Sequence, residues 1–93
     1  MIELQERVQK VIQGMEIEMA QHENIFSYED LISRLQKEFK SVRVLHLGIP
    51  AVMIDKCIIV FNLEVRDTVD GELYLVKVDF RIDDTFADLF KEP

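Results

Sequence analysis

The sequence predicts an α+β domain in which an N-terminal helical hairpin packs on one face of a three-stranded antiparallel meander, with a short C-terminal helix closing the fold. Three observations carry that prediction. Residues 2–22 gather their apolar side chains into one helical stripe, and FSYEDL, Phe26 to Leu31, is a dense helix-start signal. The third is IIVFNLEVRDTVDGELYLVKVDFRI, Ile58 to Ile82, which alternates apolar and polar residues on both sides of Asp70-Gly71. The expected order is α-α-β-β-β-α over a single domain, residues 1–93.

In the first helix Leu4, Val8, Val11, Ile12, Met15 and Met19 fall within an arc of about 100°, the width of a stripe lying on a core. Glu3 with Arg7 and Glu6 with Lys10 decorate the wet side as pairs worth a few tenths of a kcal/mol. The second helix starts at Ser27, which can cap, with Asp30 placed for a capping box and Phe26 and Leu31 for a hydrophobic staple. Its stripe is Tyr28, Leu31, Ile32, Leu35 and Phe39. The HENIF link is short enough only for a turn between antiparallel neighbours.

VRVLHL, Val42 to Leu47, reads as the first strand, ended by Gly48, Ile49 and Pro50. Asp70-Gly71 reads as a two-residue turn, and folding about it pairs residues whose numbers sum to 141. Val65 then faces Val76, Leu63 faces Val78, Phe61 faces Phe80 and Ile59 faces Ile82, giving one apolar face for the helices to cover. Val52, Ile54, Ile58 and Val60 have even numbers and are expected on the opposite face, as an apolar patch at one end. In DDTFADLFKEP, Asp84 or Thr85 can cap a short helix whose apolar side is Phe86, Leu89 and Phe90. That helix is expected to cover part of the patch and a second copy of the chain the rest. The expected homodimer interface is therefore Val52, Ile54, Ile58, Val60, Phe86, Leu89 and Phe90.

Composition narrows the function classes. The net charge is −7, with five basic and eight acidic groups in residues 1–41, five and six in 42–82, and one and four in 83–93. Direct binding to a nucleic-acid backbone, which needs a basic surface, is not expected. The first ten residues carry four charges, unlike a signal peptide, and the longest uncharged run, Val44 to Ile54, is too short for a bilayer span. With one cysteine, Cys57, these features lead to the expectation of a cytoplasmic protein without membrane association.

No residue pattern points to catalysis, to a cofactor or to a metal. His22 and His46 stand apart from each other and from carboxylates at ligand spacing, and Cys57 sits among apolar neighbours as a small hydrophobe. Asp67, Asp70, Gly71 and Glu72 lack the alternating oxygens of a calcium loop and read as a hairpin turn, while Asp83, Asp84 and Asp88 read as helix-start acids. Asn62, Glu64, Arg66, Lys77, Asp79 and Arg81 form a mixed-charge solvated face, and Met15, Met19 and Met53 fill core rather than line a groove. The expectation is a non-enzymatic protein acting through protein–protein contacts, as adaptor, chaperone-like binder or inhibitor. Two alternatives are a small-molecule-binding domain with its pocket between helices and sheet, and an acidic nucleic-acid mimic.

Overall fold

The computed structural model describes residues 2–21 and 25–83. Two helices, α1 (Ile2–Gln21) and α2 (Tyr28–Glu38), precede four strands: β1 (Val42–His46), β2 (Pro50–Ile54), β3 (Cys57–Asp67) and β4 (Leu73–Ile82). The strands form one antiparallel sheet in the order β1-β2-β3-β4, a meander with both helices on one face.

The helical hairpin forms as its stripes require. Val8, Ile12 and Met15 of α1 and Leu31, Ile32 and Leu35 of α2 are buried together against Val52, Ile54, Ile59 and Phe61 of the sheet. The α2 start is a complete capping box: Ser27 Oγ accepts from the Asp30 amide at 3.3 Å, and Asp30 Oδ2 accepts from the Ser27 amide at 2.8 Å. Arg7 holds the other end of the hairpin closed, donating to the Glu38 carboxylate at 3.3 Å and to its carbonyl at 2.8 Å. The Arg7 guanidinium also lies 4.4 Å from the centre of the Phe39 ring. Glu18 and Arg34 form a second ion pair between the helices.

The sheet has four strands where three were expected, because Pro50–Ile54 is a strand rather than a connection. Pro50 does not break it: as its first residue, opposite His46, it occupies a position where no ladder donor is needed. The turn to β3 is Asp55-Lys56, both with positive φ, 49° and 68°, as a two-residue hairpin of type I′ requires. Asp tolerates that conformation, but Lys rarely adopts it, so the turn carries no Asn-Gly or Asp-Gly mark.

This turn also corrects the facing of the expected patch. Ile54 pairs with Cys57 and Val52 with Ile59, so paired residues have opposite parity. Even-numbered Val52 and Ile54 therefore share the helix-covered face with odd-numbered Ile59 and Phe61, while Ile58 and Val60 point the other way.

The long hairpin keeps the expected pairings from Ile59 with Ile82 through Phe61 with Phe80 to Glu64 with Lys77. Val65 instead faces Leu75, not Val76. The loop is longer than the Asp70-Gly71 dipeptide. Gly71 N–H bonds to the Thr68 carbonyl at 3.0 Å, Thr68 N–H to the Glu72 carbonyl at 2.7 Å, and Gly71 sits at φ 84°. Val69, Asp70 and Gly71 thus make a three-residue loop with a left-handed glycine at its end, which sets the pair sum near the tip to 140. A register shift beside Glu64 and Val65 absorbs the extra residue and restores the sum of 141 beyond it.

The expected closing helix, with Phe86, Leu89 and Phe90, lies outside the described residues.

Candidate functional site

On the sheet face away from the helices, Leu45, Ala51, Ile58 and Val60 form a second apolar cluster, with Leu47 and Met53 packed against it. Ile58 is 0% and Val60 7% exposed in the single chain, so this face offers little apolar area for a second copy to bury. Val52 and Ile54 belong to the main core instead, and the four sheet residues of the expected interface are not brought together.

Other singled-out residues keep structural settings. Cys57 is half-buried opposite Ile54, His46 is exposed on β1, and His22 lies outside the described residues. Met15 is fully buried, while Met19 and Met53 pack against the main and second clusters respectively. Asp67, Asp70 and Glu72 surround the hairpin loop, and the buried Asp83 is engaged by Arg81. The mixed-charge face from Asn62 to Arg81 is exposed, with Lys77 and Asp79 paired at 3.6 Å. No three His, Cys, Asp or Glu among the described residues are arranged to hold a metal ion, and no described helix is long and apolar enough to cross a membrane.

Three surface features remain. The first is apolar. The helices stop short of the β3–β4 hairpin tip, leaving Val65 43% and Leu73 60% exposed and Val69 wholly so. Ile17 and Ile25 are also exposed. Between the end of α1 and the tip lies a cleft of about 610 Å³, walled by Met19, Ala20, Ile25, Val69 and Tyr74, with Glu16 and Asp67 at its border.

The second is a groove of about 510 Å³ between the helices, bordered by Arg7, Lys10, Arg34 and Lys37. Its positive charge is largely answered within the fold, since Arg7 is held by Glu38 and Arg34 by Glu18. Two lysines make a weak anion site.

The third is the largest, a cleft of about 770 Å³ between α2 and the β1 edge. Ile32 and Tyr28 wall it from the helix, Val44 from the strand, and Ile49 and Pro50 from the β1–β2 turn, with Glu29, Ser33 and His46 as its polar groups. The Tyr28 hydroxyl is not one of them. It is buried, without a properly formed hydrogen bond among the described residues, and its ring meets Phe61 edge-on with centroids 6.3 Å apart. Burial pushes the Tyr28 phenol above its ordinary pKa, opposed in part by the Ala51 backbone and assisted by the Glu29 charge. Polar chemistry in the cleft is therefore left to side chains at its border.

The sequence reading named no residues for the hairpin-end cleft or the α2–β1 cleft, although a pocket between helices and sheet was among its alternatives. Val69, an apolar residue in a turn, is the one out of pattern that marks the hairpin end. The α2–β1 cleft depends on Pro50–Ile54 being a strand, since its pairing with β1 folds Ile49 and Pro50 beside that edge. No protein-family model, curated protein or solved structure matches this chain.

Proposed function

We propose that this chain is a non-enzymatic interaction domain that binds a protein partner through the apolar end formed by α1 and the β3–β4 hairpin tip. The observation that carries this reading is the cleft walled by Met19, Ala20, Ile25, Val69 and Tyr74, in which Ile25 and Val69 are exposed, with exposed Val65 and Leu73 on the strands that lead to the hairpin tip. Contiguous exposed apolar surface of this kind marks interaction sites in soluble domains. Glu16, Asp67, Asp70 and Glu72 stand around the area, so the complementary partner is an apolar surface with basic residues at its rim. Self-association through the opposite sheet face is the weaker form of the reading, because Ile58 and Val60 are already buried within the chain. Small-molecule binding is the second reading, favoured by the α2–β1 cleft, whose volume is within the usual range for ligand pockets.

A photoreactive residue at Val69 is expected to crosslink a discrete polypeptide in the protein's native cell extract, and one at exposed Gln13 is not. Leu73→Asp should abolish the product. Equal labelling from both positions, or none from Val69, would overturn the assignment. With apolar burial carrying the affinity, the captured complex should change little with salt; a steep fall together with competition by DNA or RNA favours the acidic-mimic reading.

A further inference from the structure

We propose that the β1 edge accepts an extended segment of a partner protein as a fifth, antiparallel strand, with alternate side chains of that segment seated in the α2–β1 cleft. This concerns a different surface from the hairpin end, and either assignment can fail without the other.

His46 faces Pro50, which has no N–H to give, so this pair cannot be a doubly hydrogen-bonded one. Because such pairs alternate along an antiparallel ladder, the bonded ones are Arg43 with Met53 and Leu45 with Ala51. The two-residue turn at Asp55-Lys56 gives the same answer independently. It makes Ile54 and Cys57 a bonded pair, which turns the Val52 and Ile54 groups toward β3 and the Ala51 and Met53 groups toward β1. The N–H and C=O groups of Val42, Val44 and His46 therefore point outward, and no backbone group among the described residues accepts or donates to them. An outward row of this kind is a template for one more strand.

An apolar wall runs beside that row. In strand addition, main-chain bonds give affinity and pockets for alternate side chains give specificity. Val44, Ile32 and Ile49 line the cleft on the helix side of β1, where every second side chain of an added strand would fall. Those positions should be apolar.

Charge distinguishes the two ends of the edge. Glu29 borders the cleft together with His46 and Pro50, where β1 ends, whereas Lys40 and Arg43 stand where it begins. A segment antiparallel to β1 enters at Glu29 and leaves at Arg43. The fitting ligand starts with a basic residue, alternates apolar and polar residues, and ends with an acidic one.

A labelled seven-residue peptide that begins with lysine, alternates valine and threonine and ends in glutamate is the probe. In a nitrogen-15 NMR titration of the whole chain, the largest amide shifts should appear at Val42, Val44 and His46. Two versions, N-methylated on alternate residues of opposite parity, leave the protein untouched. One should lose at least about tenfold in affinity, as expected when main-chain bonds into the edge are blocked, and the other should bind almost unchanged. Glu29→Lys should weaken the peptide several-fold and favour one with its end charges exchanged. Equal binding of both methylated forms, or shifts confined to α2 as for a small molecule in the cleft, would overturn the proposal. So would no β1 shifts at millimolar peptide, or a chain that sediments as a dimer with its Val44 amide protected without peptide.

Discussion

The two edges of the sheet differ in how they are closed. Along β4 the chain guards its own edge: the Leu75 N–H is taken by the Phe26 carbonyl at 2.7 Å, in the segment that leads into α2. A register shift interrupts the ladder beside Glu64 and Val65, and Lys77, Asp79 and Arg81 put charge on the exposed face. These are recognised ways of stopping a sheet from growing. Along β1 charge is confined to Arg43, and among the described residues neither a covering loop nor a register shift is present. The strand is five residues long, carries Val42, Val44 and Leu45, and runs beside an apolar-walled cleft. Growth is blocked on the side where the helix-leading loop folds back and left possible on the other.

The largest expected effect tests the guarded side. Leu75 is 3% exposed in the main core, so Leu75→Ala should cost about 3 kcal/mol in denaturant titration, the usual range for deleting a buried leucine. Val44→Ala, on the half-buried open edge, should cost roughly a third as much, in line with its smaller loss of buried area. Equal costs would mean that the two edges are equally integrated and would remove the contrast.

Ser27→Ala comes next. Losing the capping hydroxyl should cost about 1 kcal/mol, measured by denaturant titration. Because Ser27 directly follows Phe26, whose carbonyl covers β4, the same change should speed hydrogen exchange at the Leu75 amide more than at Asp79, which the ladder to Asn62 holds. A uniform increase would show that the guard is set by the sheet and not by the start of α2.

Tyr28 concerns the open side, where it walls the cleft. Its hydroxyl is buried without a well-formed hydrogen bond among the described residues, so Tyr28→Phe should leave stability unchanged or raise it by up to about 1 kcal/mol. The phenol is raised above its ordinary value of 10.0, chiefly by burial, so folding favours the protonated form. That contribution is complete below pH 10, the unfolded value, and is lost as pH rises beyond it through the folded value. Alkaline denaturation should therefore begin earlier in the unaltered chain than in Tyr28→Phe. Identical alkaline profiles would place the hydroxyl in water.

What was legible in the sequence follows local signals. The capping box, both helical stripes and the Phe61–Phe80 register are written in spacing or in short-range side-chain chemistry, and each forms as read. The missed features depend on backbone conformations that the residue types do not advertise. Lys56 at positive φ conceals a hairpin and with it β2, and the concealed turn reverses parity, which separates Val52 and Ile54 from Ile58 and Val60. The first strand was an edge in the three-stranded reading as well, but the missed β2 hid its partner and with it which of its backbone groups point outward. The three-residue loop hid behind Asp70-Gly71 because the register shift restores the expected pairs farther along.

The smallest expected effect bears on that concealed turn. A left-handed conformation costs a residue with a side chain about 1–2 kcal/mol, which Lys56 at φ 68° carries in the folded state. Glycine avoids that cost but loses more conformational freedom on folding, by roughly 0.5–1 kcal/mol. The difference favours Lys56→Gly by only about 0.5 kcal/mol, small but resolvable as a shift in denaturant midpoint with unchanged slope. Its value for the comparison of edges lies in register. The Asp55-Lys56 turn makes Ile54 and Cys57 a bonded pair, which assigns the Ala51 and Met53 groups to β1 and turns the Val44 groups outward. If the turn has this geometry, Lys56→Gly should stabilise the chain while amides at Val42, Val44 and His46 continue to exchange faster than those of Arg43 and Leu45. Destabilisation by glycine, or protection of Val44 over Leu45, would place the turn and the outward row one residue away, and the open edge would then present different groups to a partner strand.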